Sequence, residues 1–104
     1  MKRVAFKMRL KAGFKDEYEK RHNEIWPELK ILLKDAGISE YSIFLDDETN
    51  TLFAFQKSEG IDGAQDLGSH EIVKKWWDFM ADIMETNLDN SPVSTELTEL
   101  FYLP

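Results

Sequence analysis

His22 is the residue best suited to proton chemistry, and a tyrosine precedes it by one helical turn. Tyr18 lies four residues before His22, so in a helix both side chains project from the same face. The imidazole has an ordinary pKa of about 6.5 and can give or take a proton near neutral pH. The pair therefore suggests a proton donor or acceptor beside a phenol at the edge of a cavity. The alternative is an exposed polar histidine near a helix end.

Two adjacent tryptophans, Trp76 and Trp77, form a second candidate. Consecutive helical residues point roughly 100° apart, so one indole can enter the core while the other lines a cleft. An indole stacks on the apolar face of a sugar ring, and its N–H can donate to a hydroxyl. Tyr41 opens a β-favouring run and could extend its phenol from a sheet edge into a cleft. The alternatives are that both tryptophans are core residues and that Tyr41 packs across strands.

The remaining polar candidates are interpreted as structural. His70 follows Ser69, which is a plausible helix N-cap. The acidic run at 46–48 lacks the spacing of an EF-hand and is interpreted as a solvated turn. Asp89 and Asn90 are interpreted as capping or tail-anchoring residues. No dinucleotide-binding glycine motif, phosphate-binding loop or serine-hydrolase elbow occurs in the sequence.

Composition excludes several classes of site and partner. The chain has 104 residues, no cysteine and two histidines, so we expect one domain (1–104) with no disulfide, thiolate nucleophile, iron–sulfur cluster or cysteine-ligated zinc. A three-histidine zinc site would need a partner chain or a carboxylate. The formal net charge of −7 disfavours nucleic acid and anionic membranes, which need a basic surface. No apolar run is long enough for a membrane span or a signal peptide. We therefore predict a soluble cytoplasmic protein.

The first half of the chain contains the elements that must position Tyr18 and His22. Residues 3–11 alternate between apolar and mostly basic side chains, which is typical of a strand. Residues 14 to about 23 and residues 27–36 have helical apolar spacing. Pro27 divides them because proline lacks a backbone donor and disfavours helix at the residue before it. Gly37 is predicted to end the second helix.

The second half predicts a hairpin, a long helix and a last strand. Residues 41–45 and 52–56 are β-favouring runs on either side of a turn at 46–50. Residues 59–68 are predicted to form a loop, and residues 70–84 a helix with a wide apolar stripe. The apolar run at 97–103 predicts the final strand.

The order β-α-β-β-α-β is that of an α+β, ferredoxin-like (split βαβ) fold. In this fold, helices cover one face of a four-stranded antiparallel sheet. Large apolar residues occur on both faces of the two hairpin strands. The uncovered sheet face is therefore predicted to be buried in a homodimer, as in a dimeric α+β barrel.

Several sequence blocks, in order, resemble the L-rhamnose mutarotase family. The most specific are the segment R-H-N-x-I-W-P-E-L at 21–29 and the tail segment D-N-S-P-V-S at 89–94. Further blocks are E-Y at 17–18, Y-S-I-F-L-D at 41–46, L-F-A at 52–54, K-W-W at 75–77, E-L at 96–97 and F-Y-L-P at 101–104. The resemblance spans the whole chain. Leu88 departs from it, since some relatives have proline there.

The resemblance implies a ferredoxin-like dimer in which His22 is the proton donor and Tyr18, Tyr41, Trp76 and Trp77 bind the sugar. It also implies an isomerase of rhamnose and carbohydrate metabolism that interconverts the α and β anomers of L-rhamnopyranose. That reaction needs one proton at the ring oxygen and the removal of another from the anomeric hydroxyl. It requires no metal, nucleotide or redox cofactor, in keeping with the composition.

Three other functions stay open at this stage. The first is a mutarotase for another deoxy sugar, such as L-fucose. The second is a non-catalytic dimeric ferredoxin-like module that binds a small ligand or haem. The third is a cofactor-free monooxygenase, because dimeric α+β barrels of this size also host that chemistry. Three measurements distinguish these functions. An absorption band on adding haemin indicates haem binding, oxygen uptake with a polycyclic phenol indicates an oxygenase, and anomer exchange across a sugar panel indicates a mutarotase and its sugar.

Overall fold

In residues 2–59 and 67–104, which the computed structural model describes, four strands and three helices follow one another. The predicted loop at 59–68 lies mostly outside these residues. The elements in chain order are β1 (Lys2–Arg9), α1 (Lys15–Asn23), α2 (Pro27–Asp35), β2 (Ile38–Asp46), β3 (Thr51–Ser58), α3 (Glu71–Met80) and β4 (Ser94–Glu96).

The strands form one antiparallel sheet in the order β2-β3-β1-β4. The helical segments lie between β1 and β2 and between β3 and β4, so each connects two strands that are separated by a third. This is the split βαβ arrangement. The predicted α+β, ferredoxin-like fold is therefore confirmed.

One sheet face packs against the helices because the strands alternate. Val4, Phe6 and Met8 of β1 are buried, while the neighbouring residues Lys7 and Arg9 are exposed. Together with residues of the neighbouring strand and the three helices, these apolar side chains form one core cluster; its helical members are Tyr18, Leu29, Val73, Trp76 and Met80. The core therefore lies between β1, β3 and the helix layer.

The predicted break between the first two helices is confirmed. Pro27 is the first residue of α2, where its missing N–H is not needed for a helical hydrogen bond. Trp26 before it has extended backbone, with φ −61° and ψ 132°. The chain thus turns between Asn23 and Pro27, which separates a short polar helix from an amphipathic one.

The second sheet face is open and carries aromatic side chains. Phe44 on β2 and Phe53 on β3 lie directly opposite each other. They are 67% and 39% exposed. Leu100, Phe101 and Leu103 in the C-terminal tail are exposed as well. Within the described residues, the helices lie on one face of the sheet, as predicted.

Both ends of α3 differ from the prediction. The carbonyl of His70, not that of Ser69, accepts the first helical hydrogen bond, so His70 is the N-cap. The helix ends at Met80, four residues before its predicted end. Beyond it, the amide of Ile83 bonds to the Met80 carbonyl at 3.1 Å, and the Ile83 carbonyl accepts a bond from Lys11 at 2.9 Å. The backbone is therefore engaged with the end of β1, although Ile83 remains buried.

The last strand lies earlier than predicted. The strand β4 is the polar segment Ser94–Glu96, which pairs with Phe6–Met8 of β1. The apolar run at 97–103 mostly lies beyond this pairing; its first amide, that of Leu97, still bonds to the Ala5 carbonyl at 2.8 Å. Side chains hold the rest of the tail, since Arg3 binds Glu99. Apolar character alone was a misleading signal for a strand here.

Gly37, after α2, generates a stability prediction with a matched control. Its φ is +87°, and a Cβ there would lie 2.6 Å from the carbonyl oxygen of Glu59. Gly13 has φ +89°, but no atom of residues 2–59 or 67–104 is found within 4 Å of a Cβ built there. Gly13→Ala should therefore lower the free energy of unfolding only by the left-handed backbone penalty of about 1 kcal/mol. Gly37→Ala should lower it by at least about 1 kcal/mol more, because the new Cβ meets the Glu59 carbonyl. Urea unfolding measures the free energy of unfolding of both variants. Equal losses of stability in the two variants would contradict the close approach of Gly37 to Glu59.

Candidate active site

The imidazole of His22 is held between a phenol and an indole. Tyr18 and His22 lie one turn apart on α1, and their rings stack with centroids 4.2 Å apart. Trp76 of α3 meets the imidazole edge-on, with 5.4 Å between the centroids. Three of the five predicted site residues are therefore in direct ring contact.

A backbone hydrogen bond fixes the tautomer of His22. Its Nδ1 lies 3.1 Å from the carbonyl oxygen of Tyr18. A carbonyl oxygen only accepts, so Nδ1 must carry the hydrogen and donate it. In the neutral imidazole the Nε2 atom then bears the available lone pair. The nitrogen available for proton transfer is therefore Nε2.

Burial lowers the pKa of His22 below its ordinary value. The surrounding aromatic side chains replace water around the ring and disfavour the charged imidazolium, whereas the bond to the Tyr18 carbonyl acts in the opposite direction. The desolvation is the larger effect. At neutral pH the ring is therefore neutral, with Nε2 as a proton acceptor.

A β-bulge brings Tyr41 to the helix-covered face of the sheet. The pairing register with β3 shifts between Ser39 and Ser42, so Glu40 and Tyr41 together face a single residue. Glu40 has a left-handed φ of 47°, and its carboxylate binds Lys57 at 2.6 Å. A bulge re-aims the side chains beside it. Tyr41 consequently packs against the core cluster.

The phenol of Tyr41 influences the ionisation of the Tyr18 phenol. Burial raises the pKa of Tyr18, and the nearby Tyr41 raises that pKa further. Burial also raises the pKa of Tyr41 to about 12. Both phenols are therefore protonated at neutral pH and can donate a hydrogen bond to a ligand oxygen.

Trp77 lies apart from the rings around His22. It is half-buried against the core and lines a cleft of about 420 Å³. The cleft is also lined by polar residues from three segments: Ser69 before α3, then Asn87, Asp89 and Ser91 in the connector after α3, and Ser94 at the start of β4. The adjacent indoles thus point to different surroundings, with Trp76 in the core and Trp77 on the cleft.

Two further aromatic residues, Trp26 and Phe79, enlarge the group and were missed in the sequence. Trp26 meets Trp76 edge-on at 5.1 Å, and Phe79 lies 5.6 Å from Trp76 and 5.5 Å from Trp26. Phe79 follows Trp76 by three residues, a helical spacing that could have indicated it. Trp26 lies between two helices, so no periodicity points to it.

The polar residues interpreted as structural make local contacts. Asp46 accepts hydrogen bonds within its turn from Glu48 and Thr49. Asn90 donates to Asp78 of α3 at 2.9 Å, which anchors the tail. In residues 2–59 and 67–104, no three His, Asp or Glu side chains group as metal ligands would. No helix in those same ranges is long and apolar enough to cross a membrane.

The fold and the site together define an α+β protein with a neutral histidine among aromatic rings. Such a site is suited to proton transfer on a ligand that has an apolar face. A sequence model described as L-rhamnose mutarotase matches residues 3–103. The chain belongs to the L-rhamnose mutarotase family.

Individual relatives agree over almost the full length. Proteins named L-rhamnose mutarotase from Formosa agariphila and Bacteroides thetaiotaomicron are each 67% identical to this chain, over 99% of both sequences. A crystal structure of an L-rhamnose mutarotase from Formosa agariphila superposes with a TM-score of 0.93 at 63% identity and covers 100% of both chains. The predicted family and fold are thereby confirmed.

The lowered pKa of His22 predicts a pH-dependent stability. The unfolded chain, with a histidine pKa of about 6.5, takes up the proton before the folded protein does. The free energy of unfolding should therefore decrease as pH falls through that value, with no contribution from His22 above it.

Urea unfolding at several pH values between about 5.5 and 8 tests this, with His22→Gln as the control that lacks the titrating ring. An NMR titration gives the pKa of His22 directly. A value at or above that of the unfolded chain, or the same pH dependence in both proteins, would contradict the burial argument.

Proposed function

We propose that this protein catalyses the interconversion of the α and β anomers of L-rhamnopyranose, the isomerase activity for which its family is named. The observation that carries the proposal is the contact of 3.1 Å between His22 Nδ1 and the Tyr18 carbonyl oxygen, which commits that nitrogen to the backbone. This leaves Nε2 for the substrate, beside aromatic rings that suit a sugar.

In the proposed mechanism, His22 transfers the proton. Its Nε2 takes the proton of the anomeric hydroxyl while the bond between C1 and the ring oxygen breaks. The electron pair of that bond goes to the ring oxygen, which receives a proton from the imidazolium. The open-chain aldehyde presents its other face, and the reverse steps close the ring. His22 thus acts as base and then as acid, and such catalysis typically contributes ~10²–10⁴-fold.

The other four predicted residues would bind the sugar. The protonated phenols of Tyr18 and Tyr41 can donate hydrogen bonds to sugar oxygens, including the ring oxygen as charge develops on it. The indole of Trp76 would offer apolar surface beside His22. Trp77 would contact the sugar ring from the cleft that it lines. L-Rhamnose is a 6-deoxy sugar, and its methyl group gives such surfaces an additional contact.

The proposed setting is a single domain, residues 1–104, that acts in the cytoplasm in rhamnose and carbohydrate metabolism. The reaction moves only a proton and breaks and re-forms one bond, so it requires no metal or cofactor. The enzyme cannot change the anomer equilibrium; it only shortens the approach to it. The net charge of −7 argues against nucleic acid as a partner.

Replacing His22 by alanine should abolish most of the anomer exchange. We expect the rate of L-rhamnose exchange to fall by ~10²–10⁴-fold, because the general acid–base group is lost. NMR saturation transfer between the two anomeric protons measures this rate at equal enzyme concentration. A panel that includes L-fucose and D-glucose tests the sugar preference.

His70→Ala is the matched control, since His70 is exposed at the start of α3 and should leave exchange near the wild-type rate. A folded His22→Ala protein that exchanges anomers as fast as wild type would refute the role of His22. A wild-type protein that accelerates exchange of no sugar in the panel would refute the proposed function.

We also propose a homodimer formed through the open sheet face and the C-terminal tail. The opposed pair Phe44 and Phe53, with the exposed apolar side chains of the tail, supports this because such apolar surface is unfavourable in water. A second copy of the chain presents the same surface, as a two-fold interface requires.

Phe44→Glu should therefore weaken the dimer, because the substitution puts a carboxylate into the apolar interface. The control is Ile31→Glu on α2, since Ile31 is 59% exposed on the helix layer and should not affect association. Sedimentation equilibrium at micromolar concentration measures both. A monomeric wild-type protein would rule out the dimer.

A further inference from the structure

The helix that carries His22 is poorly anchored by apolar contacts. Among the nine residues of α1, Tyr18 is the buried one, and most of the others are charged or strongly polar. The N-cap of α1, Phe14, makes no side-chain cap hydrogen bond. A short polar helix gains little from burial, so another interaction must fix its position against α3.

Arg21 supplies that interaction. Its Nε donates to Glu17 of the same helix at 2.7 Å. Its Nη1 donates to the Phe79 carbonyl and to Asp82, both at 2.8 Å, and its Nη2 donates to the other Asp82 oxygen at 3.1 Å. The guanidinium carbon also lies 4.6 Å from the centre of the Phe79 ring. The side chain is only 13% exposed.

These contacts lie at the end of α3, where they complement the helix backbone. Phe79 is in the last turn, whose carbonyls have no partner within the helix. A cation is favoured at this end by the helix dipole. Arg21 in turn lowers the pKa of Asp82, mainly through their hydrogen bonds. Arg21 therefore joins α1 to α3 through a carboxylate, a carbonyl and a ring at once.

We infer that Arg21 is a positioning residue, which holds the imidazole of His22 at its working distance from the aromatic side chains of α3. Arg21 fixes Phe79, Phe79 packs on Trp76 at 5.6 Å, and Trp76 meets His22 at 5.4 Å. Lysine cannot replace it, because a single ammonium lacks the planar fork that satisfies these partners together. Only the kinetic part of the test of this inference rests on the proposed function.

Arg21→Lys tests the inference while it retains the positive charge. We expect kcat for anomer exchange to fall by up to about 10²-fold, as for a small displacement of a catalytic group, and KM to change much less. The NMR signals of the His22 ring protons should also shift, because they report the stacking on Tyr18 and the edge of Trp76. Asp82→Asn should shift the same signals in the same direction.

Arg9→Lys is the matched control. Arg9 forms an ion pair with Glu85 at 3.6 Å, on β1 and the segment after α3, and takes no part in the proposed site. This variant should keep the kcat and the His22 signals of wild type.

Three results would overturn the inference. The first is an Arg21→Lys protein with the kcat and the His22 signals of wild type. The second is a loss of kcat that follows only the fraction of folded protein, with unchanged His22 signals. The third is an equal effect of Arg9→Lys. If wild type itself exchanges no anomers, the proposed function fails, while the His22 signals still test the role of Arg21.

Discussion

The hydrogen bond from Nδ1 of His22 to the carbonyl of Tyr18 is the interaction on which the site depends. It joins a side chain to the backbone one turn earlier, at 3.1 Å, and so sets the tautomer of the imidazole and the plane of its ring. The same turn places the Tyr18 phenol against one face of that ring. Trp76 then meets the edge of the imidazole from α3. A neutral imidazole with a defined reactive nitrogen follows from these contacts.

Departures from regular secondary structure place two further aromatic residues beside the side chains that surround this imidazole. The break at Pro27 leaves Trp26 between two helices, where its indole reaches Trp76. The bulge at Glu40 turns Tyr41 towards the helix layer. Such irregularities often adjoin functional sites because regular helices and strands cannot direct side chains from several elements to one point.

Periodicity allowed most of the fold to be predicted, since alternation in β1 and helical spacing in α1 and α2 reflect which side chains the core buries. Residues that are placed by irregular stretches of backbone could not be predicted in this way. The side of the sheet to which Tyr41 points depends on a left-handed residue, Glu40, that no local pattern signals. The contact of Arg21 with Asp82 joins residues 61 positions apart. The end of α3 depends on backbone bonds to β1.

The most direct test of this account is the protonation of the His22 ring in the presence of the sugar. Long-range ¹H–¹⁵N NMR of the imidazole at neutral pH distinguishes its two nitrogens. The account predicts a neutral ring with hydrogen on Nδ1, and a shift of the Nε2 signal when L-rhamnose is added but not when D-glucose is added. A ring that is protonated on both nitrogens, or one with its hydrogen on Nε2, would contradict it.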